Sequence, residues 1–169
     1  GLEQAEEARL LVPVTGKPGR YAFTHALVRS TLYDELATTR RLRLHRKVGL
    51  ALEGRGGDEQ LDELARHWSE AAALGETARA VGYCTRAGAQ AMERLAWEEA
   101  AGWYERALAA LDPDSGEHAV RAELLIALGD GLWMAGEHGT ARQRYDAAID
   151  AARRSGDDVL FARAAVGRG

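Results

Sequence analysis

GAQAMERLAWEEAAGWYERA, Gly88 to Ala107, and GDGLWMAGEHGTARQRYDAA, Gly129 to Ala148, decide the fold of this chain. Gly88, Ala100, Tyr104 and Ala107 recur as Gly129, Ala141, Tyr145 and Ala148, with gaps of twelve, four and three residues preserved. Small residues at fixed spacing suit two helices that pack closely, and the tyrosines are expected to fill the gap between neighbouring pairs. Self-similarity at a fixed period is the mark of stacked helical units. The expected fold class is therefore all-α, an α-α superhelix of helix pairs.

These spacings resemble those of the tetratricopeptide repeat. The two copies are 41 residues apart, against about 34 in that repeat. Longer helices and the Asp112-Pro113-Asp114-Ser115-Gly116 loop account for the excess. Val166-Gly167 reads as the start of a further copy, cut short by the end of the sequence, so the final helix is expected to fray or self-associate.

Working outward, breaks fall at Gly54 to Asp58, Gly75, Leu95 to Trp97, Asp112 to Gly116, Gly136 and Ser155 to Asp158. The helices between them suit antiparallel neighbours joined by tight loops. Asp114 and Glu117 have capping-box spacing. Gly156 and Asp157 read as a helix end followed by a new N-cap. Leu61, Leu64, Ala65, Trp68 and Ala72 form one apolar stripe.

Composition agrees with a mostly helical globular chain. Of 169 residues, 46% are hydrophobic and the formal net charge is −4, with alanine and leucine prominent and β-branched residues few. No apolar run of about 18 residues is present to span a bilayer, nor is there a secretory signal pattern. A cytoplasmic chain is expected. The single cysteine, Cys84, excludes an internal disulfide or a CxxC site and falls on an apolar helix side.

The N-terminal part differs. Leu2 to Leu10 reads as a short helix, followed by LLVPV, a turn at Thr15-Gly16-Lys17-Pro18-Gly19, and a return strand RYAFTH. Pro13 places the first strand at an edge. In YAFTHALVRSTLYDEL, Tyr21 to Leu36, Tyr21 and Phe23 alternate with Ala22 as in a half-buried strand. Leu27, Val28, Leu32 and Leu36 then follow helical spacing, with Thr24 as N-cap.

FTHALVR, Phe23 to Arg29, resembles the end of the winged-helix domain in STAND-type regulatory ATPases, which include LuxR-type regulators and NOD-like immune proteins. Their motif is often MHD followed by Leu-Val-Arg. His25, Leu27, Val28 and Arg29 match it; Thr24 stands for its Met and Ala26 for its Asp. The resemblance covers roughly residues 1 to 54, with the repeats over 77 to 167. It implies that the helix and hairpin are the last helix and wing of that module, whose earlier helices precede Gly1. It also implies that His25 senses a nucleotide phosphate. Read on residues alone, a histidine bonding its own helix start is an equal alternative.

The domain reading is 1-37 for the end of the winged-helix module, 38-75 for linking helices, and 76-169 for the repeats. The expected function is that of a regulatory sensor and interaction segment of a STAND-type, LuxR-like transcriptional regulator. ATP or ADP is implied for the full-length protein and no cofactor for this segment. The implied partners are the upstream nucleotide-binding domain and a protein or small-molecule inducer on the solenoid. The alternatives are the helical tail of a multidomain nucleotide cyclase or kinase carrying a STAND-like ATPase, and a plain tetratricopeptide scaffold.

Other chemistry is not indicated. TGKPG lacks P-loop spacing, and Pro18 removes an amide that would cradle phosphate. RRLRLHRK, Arg40 to Lys47, is basic, but its charges spread around the helix; a solvated or packing helix is favoured over nucleic-acid binding. His67, His118 and His138 have no partner at ligand spacing, so no metal site is expected. No serine or carboxylate pair forms a catalytic constellation. Trp103 and Trp133 lie about 100° from the repeat stripe; packing against the adjacent repeat is favoured, and a partner groove is the alternative.

Overall fold

The computed structural model describes residues 2–16, 19, 21–56, 60–112 and 116–169. The chain divides into two compact units, Gly1–Arg41 and Leu42–Gly169.

In the first unit, α1 (Leu2–Glu7) leads into β1 (Leu11–Pro13), which pairs antiparallel with β2 (Tyr21–Phe23) and is followed by α2 (Ala26–Asp34). Leu11 lies opposite Phe23 and Pro13 opposite Tyr21. The expected helix to Leu10 ends three residues early because Arg9 is left-handed, at φ 54°. The Leu10 amide then reaches back to Ala5 O and the Arg9 amide to Glu6 O, a Schellman closure. Lys17 and Pro18 of the expected turn lie outside the described residues.

Two local expectations fail here. Thr24 is not the N-cap of α2: its hydroxyl donates to Arg9 O at 2.7 Å, tying the return strand to the end of α1, and His25 occupies the cap position. Nor is the strand half-buried. Tyr21, Ala22 and Phe23 are all exposed, α2 buries none of its residues, and Leu36 lies beyond its end at Asp34.

The second unit contains α3 from Leu42 onward (the whole helix is Thr38–Glu53). It continues with α4 (Leu61–Ala71), α5 (Thr77–Glu93), α6 (Trp97–Ala110), α7 (His118–Met134), α8 (His138–Ser155) and α9 (Asp158–Arg168). From α4 onward each helix packs on the next, and α7 also touches α9. This is the all-α superhelical stack of helix pairs read from the repeat, with a two-stranded hairpin in the N-terminal unit.

Small residues build the interior. Ala65, Ala87, Ala91, Ala100, Ala107, Ala122, Ala141 and Ala148 are all fully buried, and small side chains at a contact suit closely packed helices. Cys84 is one of these fillers: it is fully buried, its thiol faces Ala65 O at 3.6 Å, and burial pushes it up to about 11.

The repeat glycines serve the tyrosines rather than a close approach of backbones. A Cβ on Gly88 would lie 2.7 Å from Tyr104 Cε1, and one on Gly129 would lie 2.7 Å from Tyr145 Cε1. Tyr145 also presses on Gly167 of α9, so the ring does bridge neighbouring pairs. Gly167 follows Gly129 by 38 residues, where Gly129 follows Gly88 by 41. The shorter step has only Gly156 and Asp157 between α8 and α9, while residues 111 to 117 separate α6 from α7.

Turn chemistry repeats with the helices. Leu95, Gly136 and Gly156 are each left-handed, and each follows a helix closed by the Schellman pair of amide bonds. Asp157 caps α9, accepting from the Val159 and Leu160 amides at 2.9 Å each. Pro113, Asp114 and Ser115, and with them the expected capping box, lie outside the described residues; Glu117 is the N-cap of α7 and makes no side-chain cap bond. On α4, Ala71 is fully buried while Ala72 is half-buried, because the 3-10 turn at Ala72–Leu74 shifts the angular register.

Candidate functional site

Three places gather the residues that chemistry would use. The first is the start of α2. His25 is exposed, with extended backbone at φ −134° and ψ 132°, and its ring makes no bond to its own helix start. Its carbonyl accepts from the Arg29 amide at 3.3 Å. The imidazole thus stands at a helix N-terminus, where unpaired amides and the helix dipole favour an anion.

The second is the seam of α3, α4 and α5 within the second unit. His45, Gly49 and Leu52 are the buried residues of α3 and recur at helical spacing. Gly49 lies against the fully buried Trp68, so close that a Cβ there would sit 2.8 Å from Trp68 Cε2. One turn earlier, His45 Nδ1 meets His67 Nδ1 at 3.1 Å, with ring centroids 4.9 Å apart. Arg66 Nη2 lies 3.3 Å from His67 Nε2.

Burial first, then the Arg66 and His45 charges, lower His67 to about 4. Ion pairs flank the seam: Arg46 Nε reaches Glu76 at 2.5 Å, and Arg79 meets Glu76 at 2.7 Å and Glu53 at 3.4 Å. Hydrogen bonds from Arg46 and Arg79 hold the Glu76 carboxyl below its ordinary range. The Arg79 guanidinium also covers the Trp68 ring at 4.8 Å.

The basic run is therefore divided among different tasks. His45 is buried, Arg46 is ion-paired, and within the first unit Arg41 lies over Tyr33 at 5.2 Å, while Arg40, Arg43 and Lys47 are exposed. The sequence reading left His67 without a partner because its partner is 22 residues away on another helix. His45 inside a basic run and His67 next to Trp68 of the apolar stripe were the signals present in the sequence.

The third place is a groove of about 390 Å³ between α7 and α9, lined by Ile126, Asp130, Ala162, Arg163 and Val166. Asp130 accepts from the Tyr145 hydroxyl at 2.7 Å; burial and this bond push the phenol well above its usual range. Trp103 and Trp133 do not line this groove. Trp103 is buried in the main core, with Arg106 over its ring at 4.8 Å. Trp133 is half-buried against the same core and packs on His138, with centroids 4.4 Å apart.

Among the described residues, no group of three or more His, Cys, Asp or Glu could hold a metal ion. Nor is any described helix long and apolar enough to cross a membrane. No family model, curated protein or solved structure matches the chain.

Proposed function

We propose that this chain is the regulatory sensor and interaction segment of a STAND-type signalling ATPase, of the LuxR-like transcriptional kind. One observation carries the reading: the FTHALVR motif falls where a hairpin ends and α2 begins, with His25 exposed at the cap position and its ring making no bond to its own helix start. An imidazole and free amides at a helix start suit a phosphate. In the full-length protein, His25 would contact the phosphate of ADP or ATP held by an upstream domain and favour the resting state. The solenoid would bind a protein or small-molecule inducer, and that binding would bias the open state by differential affinity.

The test is the nucleotide content of the protein encoded by the complete reading frame containing this sequence. Purified wild-type protein should carry bound ADP, and His25→Ala protein should carry substantially less while giving more signalling output without inducer. Absence of nucleotide from both would favour the plain tetratricopeptide scaffold.

A further inference from the structure

The geometry points to the groove between α7 and α9 as a binding site for a small apolar zwitterion of the amino-acid or dipeptide class, its carboxylate on Arg163 and its ammonium on Asp130. This names the chemical class of the inducer proposed above, and it rests on the solenoid part of that reading, not on His25.

Opposite charges stand on the two walls without meeting. Asp130 belongs to α7 and Arg163 to α9, and both line the groove, yet they form no ion pair with each other. Asp130 is held in place from beneath. One of its carboxylate oxygens accepts from the Tyr145 hydroxyl at 2.7 Å, and the Tyr145 ring is 3% exposed and wedged against Gly129 and Gly167. The stacking of α7, α8 and α9 therefore fixes this carboxylate, and its second oxygen keeps its capacity to accept.

Arg163 is unengaged. Its guanidinium makes no hydrogen bond, ion pair or ring contact among the described residues, whereas Arg168 on the same helix pairs with Asp146. A guanidinium presents a planar fork of donors that matches a carboxylate with two parallel bonds.

The surface between these charges is aliphatic. Ile126, Ala162 and Val166 line it, and Val166 is 82% exposed on α9. The complement is a short apolar body with a carboxylate at one end and an ammonium at the other. At about 390 Å³ the groove has the size of a small-molecule site. A stable protein interface needs a far wider face, about 800 Å² on each partner.

The test is titration of the isotopically labelled chain with L-leucine and with L-leucyl-L-leucine, each up to about 20 mM, followed by amide chemical shifts. At least one of the two should shift the amides of Asp130, Ala162, Arg163 and Val166 with a dissociation constant of about 1–10 mM; the tighter one reports the span between the charges. N-acetyl-leucinamide and N-acetyl-leucyl-leucinamide, which lack both charges, should bind at least about 5-fold more weakly. Arg163→Gln should weaken the zwitterion by about 5-fold and leave the capped compound unchanged. Asp130→Asn, which keeps an oxygen for Tyr145, should act in the same way. No localised shift with either zwitterion, equal affinity for the capped compounds, or wild-type affinity in Arg163→Gln would overturn the proposal. Shifts at these amides that grow with protein concentration alone would assign the groove to a second copy, and would overturn it too. The titration involves no nucleotide, so its failure leaves the His25 measurement standing, and failure of that measurement leaves the groove standing.

Discussion

Replacing Gly129 by Ala adds one methyl group at the point where Tyr145 joins two helix pairs. The new Cβ would lie 2.7 Å from Tyr145 Cε1, 2.9 Å from Cζ and 3.0 Å from Cδ1. An ordinary carbon contact needs roughly 3.5 Å or more, so ring or helix must move by about 0.8 Å or more. The ring has little freedom to do so. It is 3% exposed, presses on Gly167 of α9, and is anchored through its hydroxyl to Asp130.

Overpacking of this kind costs about 1–3 kcal/mol, while alanine gains about 1 kcal/mol of helix propensity over glycine. Gly102→Ala in α6 isolates the clash, because nothing lies within 4 Å of a Cβ there. Gly102→Ala should raise stability by about 1 kcal/mol, and Gly129→Ala should fall about 1–3 kcal/mol below it. For a chain of this size the gap corresponds to roughly 2–12 °C in Tm, readable by circular dichroism at 222 nm in parallel heat and urea melts. Gly129→Ala melting with or above Gly102→Ala would refute the account of how the repeats stack.

Other consequences follow from single positions. Leu95 is left-handed at φ 61° and 68% exposed, so Leu95→Gly should relieve strain at no loss of packing and stabilise by about 1 kcal/mol, a rise of roughly 2–4 °C; a lower Tm would contradict this. Asp157→Ala removes the cap of α9 and should cost about 1 kcal/mol, seen first as faster exchange of the Val159 and Leu160 amides; unchanged exchange there would count against it. Cys84, buried and with its thiol at about 11, should resist aromatic disulfide reagents at pH 8 until urea unfolds the chain. Stoichiometric labelling of the native protein within seconds would show the core to be open.

Much of the solenoid was legible because its signals are local and repeated. Glycine, alanine and tyrosine spacing located the pairs, and Gly136 and Gly156 marked helix ends where a left-handed residue is required. Leu95 fills the same role without glycine, so that turn is visible only by analogy with Gly136. The N-terminal unit misled at Thr24, whose hydroxyl bonds a carbonyl fifteen residues away instead of its own helix. His45–His67 and Gly49–Trp68 were invisible for a related reason. Each joins α3 to α4 across a long separation, and a histidine in a basic run looks like surface until its neighbour is known. His25 is the opposite case: its motif is plain in the sequence, and the structure adds that its ring makes no bond to its own helix start.

ADP release from the complete protein tests the central functional claim most directly. A hydrogen bond to a charged phosphate is worth about 1.5–3 kcal/mol, equivalent to roughly a 10- to 100-fold change in affinity. Stopped-flow displacement of a fluorescent ADP should therefore show release at least about 10-fold faster from His25→Ala than from wild type, with helix content unchanged. Equal release rates in the two proteins would contradict the assignment of His25 as the phosphate sensor.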